Sequence, residues 1–182
     1  MSAVGVAGCG RMGLPMARAM QAAGLEVWGL DVRHATAFGD FAPRMVADPA
    51  EFAARCDTVL TVVRDRAQTD AVLFDEQALM RHRGRIGTLV VCSTLSPRYL
   101  ETLPGRMPEG IRLVDAPMSG APVAAEEARL SFMLGGEAAD LDRLAPLFDA
   151  MGRVSHRMGP FGAGMKGKVL NNFVAAASVV AV

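Results

Sequence analysis

The chain has 182 residues, 51% of them apolar, and its 19 lysines and arginines are balanced by 19 aspartates and glutamates. That length allows one good core and the start of a second, while the even charge, with no basic block interleaved with aromatics, argues against nucleic acid and against an anionic membrane as partners. Cys9, Cys56 and Cys92 are odd in number, far apart and without C-x-x-C spacing, which suits reduced thiols in a cytoplasmic protein rather than a disulfide scaffold or a zinc site.

The first strand begins about three residues in and leaves no room for a charged region followed by a cleavable apolar segment. The run from Val4 to Ala7 is apolar and ends in Gly8-Cys9-Gly10-Arg11-Met12-Gly13, a G-x-G-x-x-G turn that opens into a helix. Gly8 allows the tight turn, Gly10 leaves space for a pyrophosphate against the backbone, and Gly13 lets the helix lie close on the strand with its free N–H groups facing the anion. The same spacing also serves a turn that only packs a strand on a helix. Three contexts favour the phosphate cradle: the preceding strand, the helix Met12 to Ala23, and a second strand, Leu25 to Leu30, ending in Asp31, whose carboxylate suits an adenosine ribose.

Beyond Asp31, residues 32–41 read as a short helix with a loop, and Met45-Val46 as a brief third strand. Asp48-Pro49 is a helix start for Pro49 to Arg55. Thr58 to Val63, β-branched and apolar without alternation, reads as a buried strand. It delivers Arg64-Asp65-Arg66 to the carboxyl edge of the sheet, as cleft lining or as solvated loop charges. A helix over Gln68 to Phe74 and a solvated turn carrying Arg81, His82, Arg83 and Arg85 precede the buried strand Leu89 to Cys92. Ser93-Thr94-Leu95-Ser96-Pro97 closes that strand, with Ser96 capping a helix from Pro97 to Leu103. After a loop, Pro104 to Gly110, come short strands at Arg112 to Asp115 and Leu130 to Leu134, a helix over Ala138 to Met151 with a stripe at Leu141, Leu144, Leu147 and Phe148, and a last strand, Val154 to His156. Strands alternating with helices at this spacing predict an α/β fold of Rossmann type, a doubly wound, mostly parallel sheet.

Two further constellations carry chemistry. Asp115-Ala116-Pro117-Met118-Ser119-Gly120 is a strand end and a proline-stiffened turn suited to offering the Ser119 hydroxyl and the Gly120 N–H to a small anion. Gly162 to Asn172 opens a helix on which Lys168 and Asn172 stand four apart on one face, whereas Asn171 does not. A lysine in an otherwise apolar helix is costly to desolvate, so its pKa falls and its amine becomes a usable proton acceptor. A lysine that reaches solvent beside an asparagine fits the same letters. Val169 to Val182 is nearly all apolar but shorter than a bilayer span and carries Asn171 and Asn172. It reads as a buried helix whose covering is not in this chain, so that the end looks cut or relies on a partner.

Together these stretches resemble the β-hydroxyacid dehydrogenases, the group of 3-hydroxyisobutyrate dehydrogenase, tartronate semialdehyde reductase and 6-phosphogluconate dehydrogenase. The family's G-x-G-x-M-G stands at Gly8 to Gly13, its S-T-x-x-P at Ser93 to Pro97, its D-x-P-x-S-G-G at Asp115 to Ala121, and its G-x-G-x-x-x-K-x-x-N-N at Gly162 to Asn172. The resemblance implies hydride transfer between NAD (or NADP) and a small 3-hydroxy acid or its semialdehyde. In that reading Lys168 is the general acid/base and Asn172 orients it. Ser119 and Gly120 hold the substrate carboxylate, and Ser93 and Thr94 lie near nicotinamide and substrate. Gly8, Gly10, Arg11, Met12, Gly13, Asp31, Val62, Val63, Arg64 and Thr94 form the cofactor set, and no metal is called for.

The implied organisation is a dinucleotide-binding domain over 1–163 and, over 164–182, the first part of a helix linking to an all-helical domain. The full-length form is then expected to be a homo-oligomer. Ala121 stands where the family has the last glycine of S-G-G, and Val91 where an aspartate is common. Asp31 repels a 2'-phosphate and favours NAD, with Arg33 softening the preference. Two other readings remain: an NADPH-dependent imine or ketone reductase, which Lys168 counts against because those relatives commonly replace the lysine, and an NAD-binding module without turnover.

Overall fold

The computed structural model describes residues 3–180, with side chains to residue 178. Its frame is an eight-stranded sheet in the order β2-β1-β3-β4-β5-β7-β6, with β8 on the other side of β7. β1 (Val4–Ala7), β2 (Val27–Leu30), β3 (Thr58–Thr61), β4 (Thr88–Val91) and β5 (Arg112–Asp115) all run parallel. β6 (Met118–Ser119) and β5 are antiparallel to β7 (Leu130–Gly135), and β8 (Gly152–Gly159) is parallel to it. β1, β3 and β4 are buried throughout, as near-continuous apolar runs require when helices cover both faces of a sheet.

Alternation along the strands divides the core in two. Val4, Val6, Leu60 and Val90 face α1 (Gly13–Ala22), α6 (Pro122–Glu126) and α7 (Ala138–Met151), joined there by Met16, Met20, Leu144 and Phe148. Ala7, Val59, Leu89 and Val91 face the other way, toward α2 (Pro49–Arg55), α3 (Arg66–Leu73), α4 (Leu79–His82) and α5 (Pro97–Leu100), where Phe52, Leu73, Leu79 and Leu100 are buried. Each such side chain contributes about 1.5–3 kcal/mol through burial. α7 runs unbroken through Pro146. The lost hydrogen bond and ring clash cost about 3 kcal/mol, and the buried stripe Leu141, Leu144, Leu147, Phe148 and Met151 offsets it. The chain leaves β1 toward β2 on one side and returns to β3 on the other, so the carboxyl ends of β1 and β3 flank the crevice where an open sheet of this kind binds ligands.

Several elements differ from the sequence reading. Met45 makes a single bridge to Gly29 rather than a strand, and residues 35–44 are two 3₁₀ turns kinked at Gly39. The helix expected over Pro97 to Leu103 stops at Leu100, without a side-chain cap from Ser96, and a 3₁₀ turn at Pro104–Arg106 lies within the expected loop. The sheet gains the antiparallel β6 and the helix α6, both too short to leave a periodic signal. β8 is eight residues long and solvent-exposed over most of its length. α8 (Ala163–Val180) is not a buried helix beyond its start: Leu170 is 65% and Phe173 71% exposed.

Candidate nucleotide and substrate cleft

One cavity of ≈ 1070 Å³ opens along the carboxyl ends of β1, β2, β3 and β4. It lies at the upper end of the ~300–1,000 Å³ usual for small-molecule sites. Gly8, Gly10, Arg11, Met12, Asp31, Val62, Val63, Arg64, Thr94, Gly120, Lys168 and Asn172 all line it. Residues from six regions, up to 164 positions apart, thus share one space, because parallel strands bring the loops that follow them to the same edge.

The glycines test whether a dinucleotide fits. A Cβ on Gly8 would lie 2.6 Å from the Val62 carbonyl oxygen, and Gly8 holds φ +97. A Cβ on Gly13 would lie 2.0 Å from the Gly8 oxygen. Gly13 is therefore buried behind the cradle, where it seats α1 on the turn, and does not line the cavity. A Cβ on Gly10 would meet nothing within 4 Å. The strained glycine, the packing glycine and the glycine facing open space are what a pyrophosphate cradle at a helix N-terminus needs.

At the other end of the cleft Asp31 is held by Arg33. Its Oδ1 accepts from Arg33 Nε and from the Arg33 backbone N–H, each at 3.0 Å, and its Oδ2 accepts from Nη2 at 3.2 Å. The same Nη2 donates to the Cys9 carbonyl at 2.7 Å, and the guanidinium lies 4.7 Å from the Phe38 ring centroid. Burial pushes the Asp31 carboxyl up, but the Arg33 hydrogen bonds and charge outweigh it and hold the group below the usual carboxylate range.

Ser93 and Thr94 both line the cavity and differ in what they bond. The buried Ser93 hydroxyl accepts from the Val63 N–H at 3.0 Å and donates to the Thr61 carbonyl at 3.4 Å, tying the ends of β3 and β4 together. Thr94 is exposed toward the cleft. Asp65 is not cleft lining; it caps α3 by accepting from the Gln68 N–H at 2.9 Å. The α3 side supplies a wall the sequence reading missed, with Gln68, Ala71, Val72, Glu76 and Gln77. The 68, 71, 72 spacing of one helix face was the available signal.

The third side is the start of α8. Asp115, fully buried at the end of β5, accepts from the Gly162 N–H at 2.6 Å through Oδ1 and from the Met165 N–H at 2.5 Å through Oδ2. Cβ atoms on Gly135 and Gly164 would fall 2.1 Å and 3.0 Å from those oxygens, so glycine is required on both sides of the carboxylate. Burial pushes the Asp115 carboxyl up against the opposing pull of the two N–H groups. From this anchored turn Lys168 reaches the cavity with 9% of its surface exposed, and burial lowers its pKa. Asn172 follows one turn later on the same wall. Gly120, at φ +142, lines the cavity; Ser119, opposite Ser131 on β6, is half-buried beside it and outside the lining.

The chain is similar to known proteins over most of its length. Residues 3–159 match the family described as the NAD binding domain of 6-phosphogluconate dehydrogenase. The chain is 36% identical over 179 residues to an NAD-dependent L-serine dehydrogenase of Pseudomonas aeruginosa, covering 94% of this chain and 59% of that protein. To an L-threonate dehydrogenase of Cupriavidus necator it is 34% identical over 183 residues, covering 98% and 61%. A solved Mycobacterium tuberculosis 3-hydroxyisobutyrate dehydrogenase with L-serine superposes with a TM-score of 0.85 at 28% identity, over 100% of this chain and 62% of that one. The chain therefore spans about three fifths of the length of these proteins.

Proposed function

This chain belongs to the family of the NAD-binding domain of 6-phosphogluconate dehydrogenase, and on that premise we propose that it is the cofactor half of a dehydrogenase oxidising a small 3-hydroxy acid, or reducing the matching semialdehyde, with NAD. The observation that carries the reading is Lys168: a lysine 9% exposed, with a pKa lowered by burial, on the wall of the cavity that contains the glycine cradle.

In the oxidative direction the Lys168 amine takes the proton of the substrate hydroxyl, for which it must be neutral, and burial makes it so at a lower pH than an exposed lysine. Asn172 fixes the amine and the hydroxyl in one geometry. The Gly120 N–H, with the Ser119 hydroxyl if its side chain turns toward the cavity, holds the carboxylate, and Thr94 orients the reacting carbon. Gly8, Gly10, Arg11 and Met12 bind the pyrophosphate and Asp31 the ribose, with Val62, Val63 and Arg64 along the opposite side. The nicotinamide, when bound, supplies the hydride acceptor.

We read residues 1–163 as the dinucleotide-binding domain and 164–182 as the first part of a helix linking to an all-helical domain, with 1–2 and 181–182 outside the described residues; the exposed Leu170, Phe173 and Val174 support that division. We place the protein in the cytoplasm and expect the full-length form to be a homo-oligomer; no described helix is long and apolar enough to cross a membrane.

The test is titration with NAD and with NADP, followed by an assay for reduced nicotinamide with 3-hydroxyisobutyrate, glycerate, L-serine and L-threonate. NAD binding is the expected result for this chain, and turnover of a 3-hydroxy acid that Lys168→Ala abolishes is expected of the full-length form. Failure to bind either nucleotide overturns the reading.

A further inference from the structure

Met165 stands at the junction of three segments that sequence places far apart. Its backbone N–H donates to Asp115 Oδ2 at the end of β5. Its Sδ accepts from the Leu95 N–H at 3.3 Å, a buried contact spanning 70 positions. Leu95 directly follows Thr94, and Met165 lies three residues before Lys168 on α8. Met165 is fully buried, so water has no route to replace the sulfur as partner of that N–H. The Leu95 N–H thus aims at a side chain of α8 while the Met165 N–H aims at β5, and the two bonds set the β4 loop, β5 and α8 in one register.

We propose that Met165 is a positioning residue of the cleft: through its sulfur and its backbone N–H it holds the Thr94 loop and the Lys168 turn at a fixed separation. The proposal rests on the reading of Lys168 as proton acceptor. It assigns to a thioether a task that a hydrocarbon of the same size cannot perform. Met165→Leu keeps nearly the same volume, which cores tolerate, and removes the acceptor.

The chain offers a direct readout, because only two of its 19 lysines and arginines are lysine, Lys166 and Lys168. Lys166 is exposed and pairs with Glu101 at 3.6 Å. After reductive ¹³C-methylation the Lys168 amine is followed by NMR, with the same chain unfolded in urea as its reference. The Leu95 N–H is followed by amide exchange, and ADP-ribose serves as the probe of the adenosine end.

In the wild-type chain the Leu95 amide is expected to exchange at least tenfold more slowly than a fully exposed loop amide. In Met165→Leu it accelerates at least tenfold and the Lys168 titration moves toward that of the urea-unfolded chain, while ADP-ribose affinity stays within twofold. Met165→Gln, which restores an acceptor oxygen, brings Leu95 exchange back to within threefold of wild type. An unprotected Leu95 amide in the wild type overturns the proposal without any variant, and so does an unmoved Leu95 exchange or an unmoved Lys168 titration in a folded Met165→Leu. If wild-type Lys168 titrates in the folded chain as it does in urea, or ADP-ribose does not bind, the reading of the cleft itself is overturned and the proposal with it, whatever Leu95 does.

Discussion

Arg33 closes a two-point grip on Asp31, Nε to Oδ1 at 3.0 Å and Nη2 to Oδ2 at 3.2 Å, while the same Nη2 reaches across to the Cys9 carbonyl at 2.7 Å. The carboxylate that we propose as the ribose partner is thereby neutralised by a cation that a 2'-phosphate can recruit. Removing Arg33 frees Asp31 for the hydroxyls and takes away the phosphate's partner. Arg33→Ala is expected to tighten NAD binding by a few-fold and weaken NADP binding by about tenfold, or ~1.4 kcal/mol, read from the two titrations side by side.

The glycines separate folding from binding. Gly13→Ala drives a Cβ to 2.0 Å from the Gly8 oxygen and should destabilise the chain by about 1–3 kcal/mol, the usual cost of overpacking. Gly10→Ala meets no atom of the chain within 4 Å, so its melting temperature should stay at the wild-type value while NAD affinity falls at least tenfold. A Gly10→Ala chain that binds NAD normally would contradict the cradle.

Lys168 makes a prediction in pH. Its folded pKa lies below the ordinary 10.5 because burial disfavours the ammonium, so the folded state binds fewer protons than the unfolded one between those two values. Stability against unfolding therefore rises with pH across that window. Lys168→Met, which has no charge to bury, is expected to be the more stable chain at neutral pH, and the gap to wild type should close as pH approaches 10.5. Thermal melts from pH 7 to 10.5 measure it.

Asp70 works in the acid range. It accepts from the Tyr99 hydroxyl at 2.9 Å and Arg106 Nη1 at 2.7 Å, and Arg66 Nε lies 3.3 Å away. Burial raises its pKa, but Arg106, Tyr99 and Arg66 together carry it below 3.8. Its contribution is present above 3.8 and lost as pH falls through the depressed folded value. Because α3 forms one wall of the cleft, Asp70→Asn should lower both the melting temperature and NAD affinity at pH 7 and flatten the acid limb of the stability profile.

The glycine turn was legible from residues 4–31 because strand, turn and helix are contiguous, and because Gly13 meets a demand set five positions away, at the Gly8 oxygen. The parallel sheet was legible for a related reason: strands covered on both faces must be apolar throughout, as Thr58–Thr61 and Thr88–Val91 are. The sequence also marked Lys168 and Asn172 as neighbours on one helix face, which the helical repeat decides locally.

Long-range contact decided the rest. That Ser93 braces β3 while Thr94 faces the cleft depends on Val63 and Thr61, about thirty positions away. That Arg33 reaches the Cys9 carbonyl while covering Asp31 follows from a hydrogen bond spanning 24 positions, whose partner adjacent letters do not name. The apolar tail from Val169 read as buried, yet its described residues are exposed, because composition states what a helix must cover and only the fold states what is there to cover it. Asp115 gathers Gly162 and Met165 from 47 and 50 positions away and thereby sets where Lys168 stands. Local sequence specifies which chemistry each segment can offer; which segments meet is a property of packing, where one buried carboxylate can choose among distant N–H groups only after the sheet has brought them together.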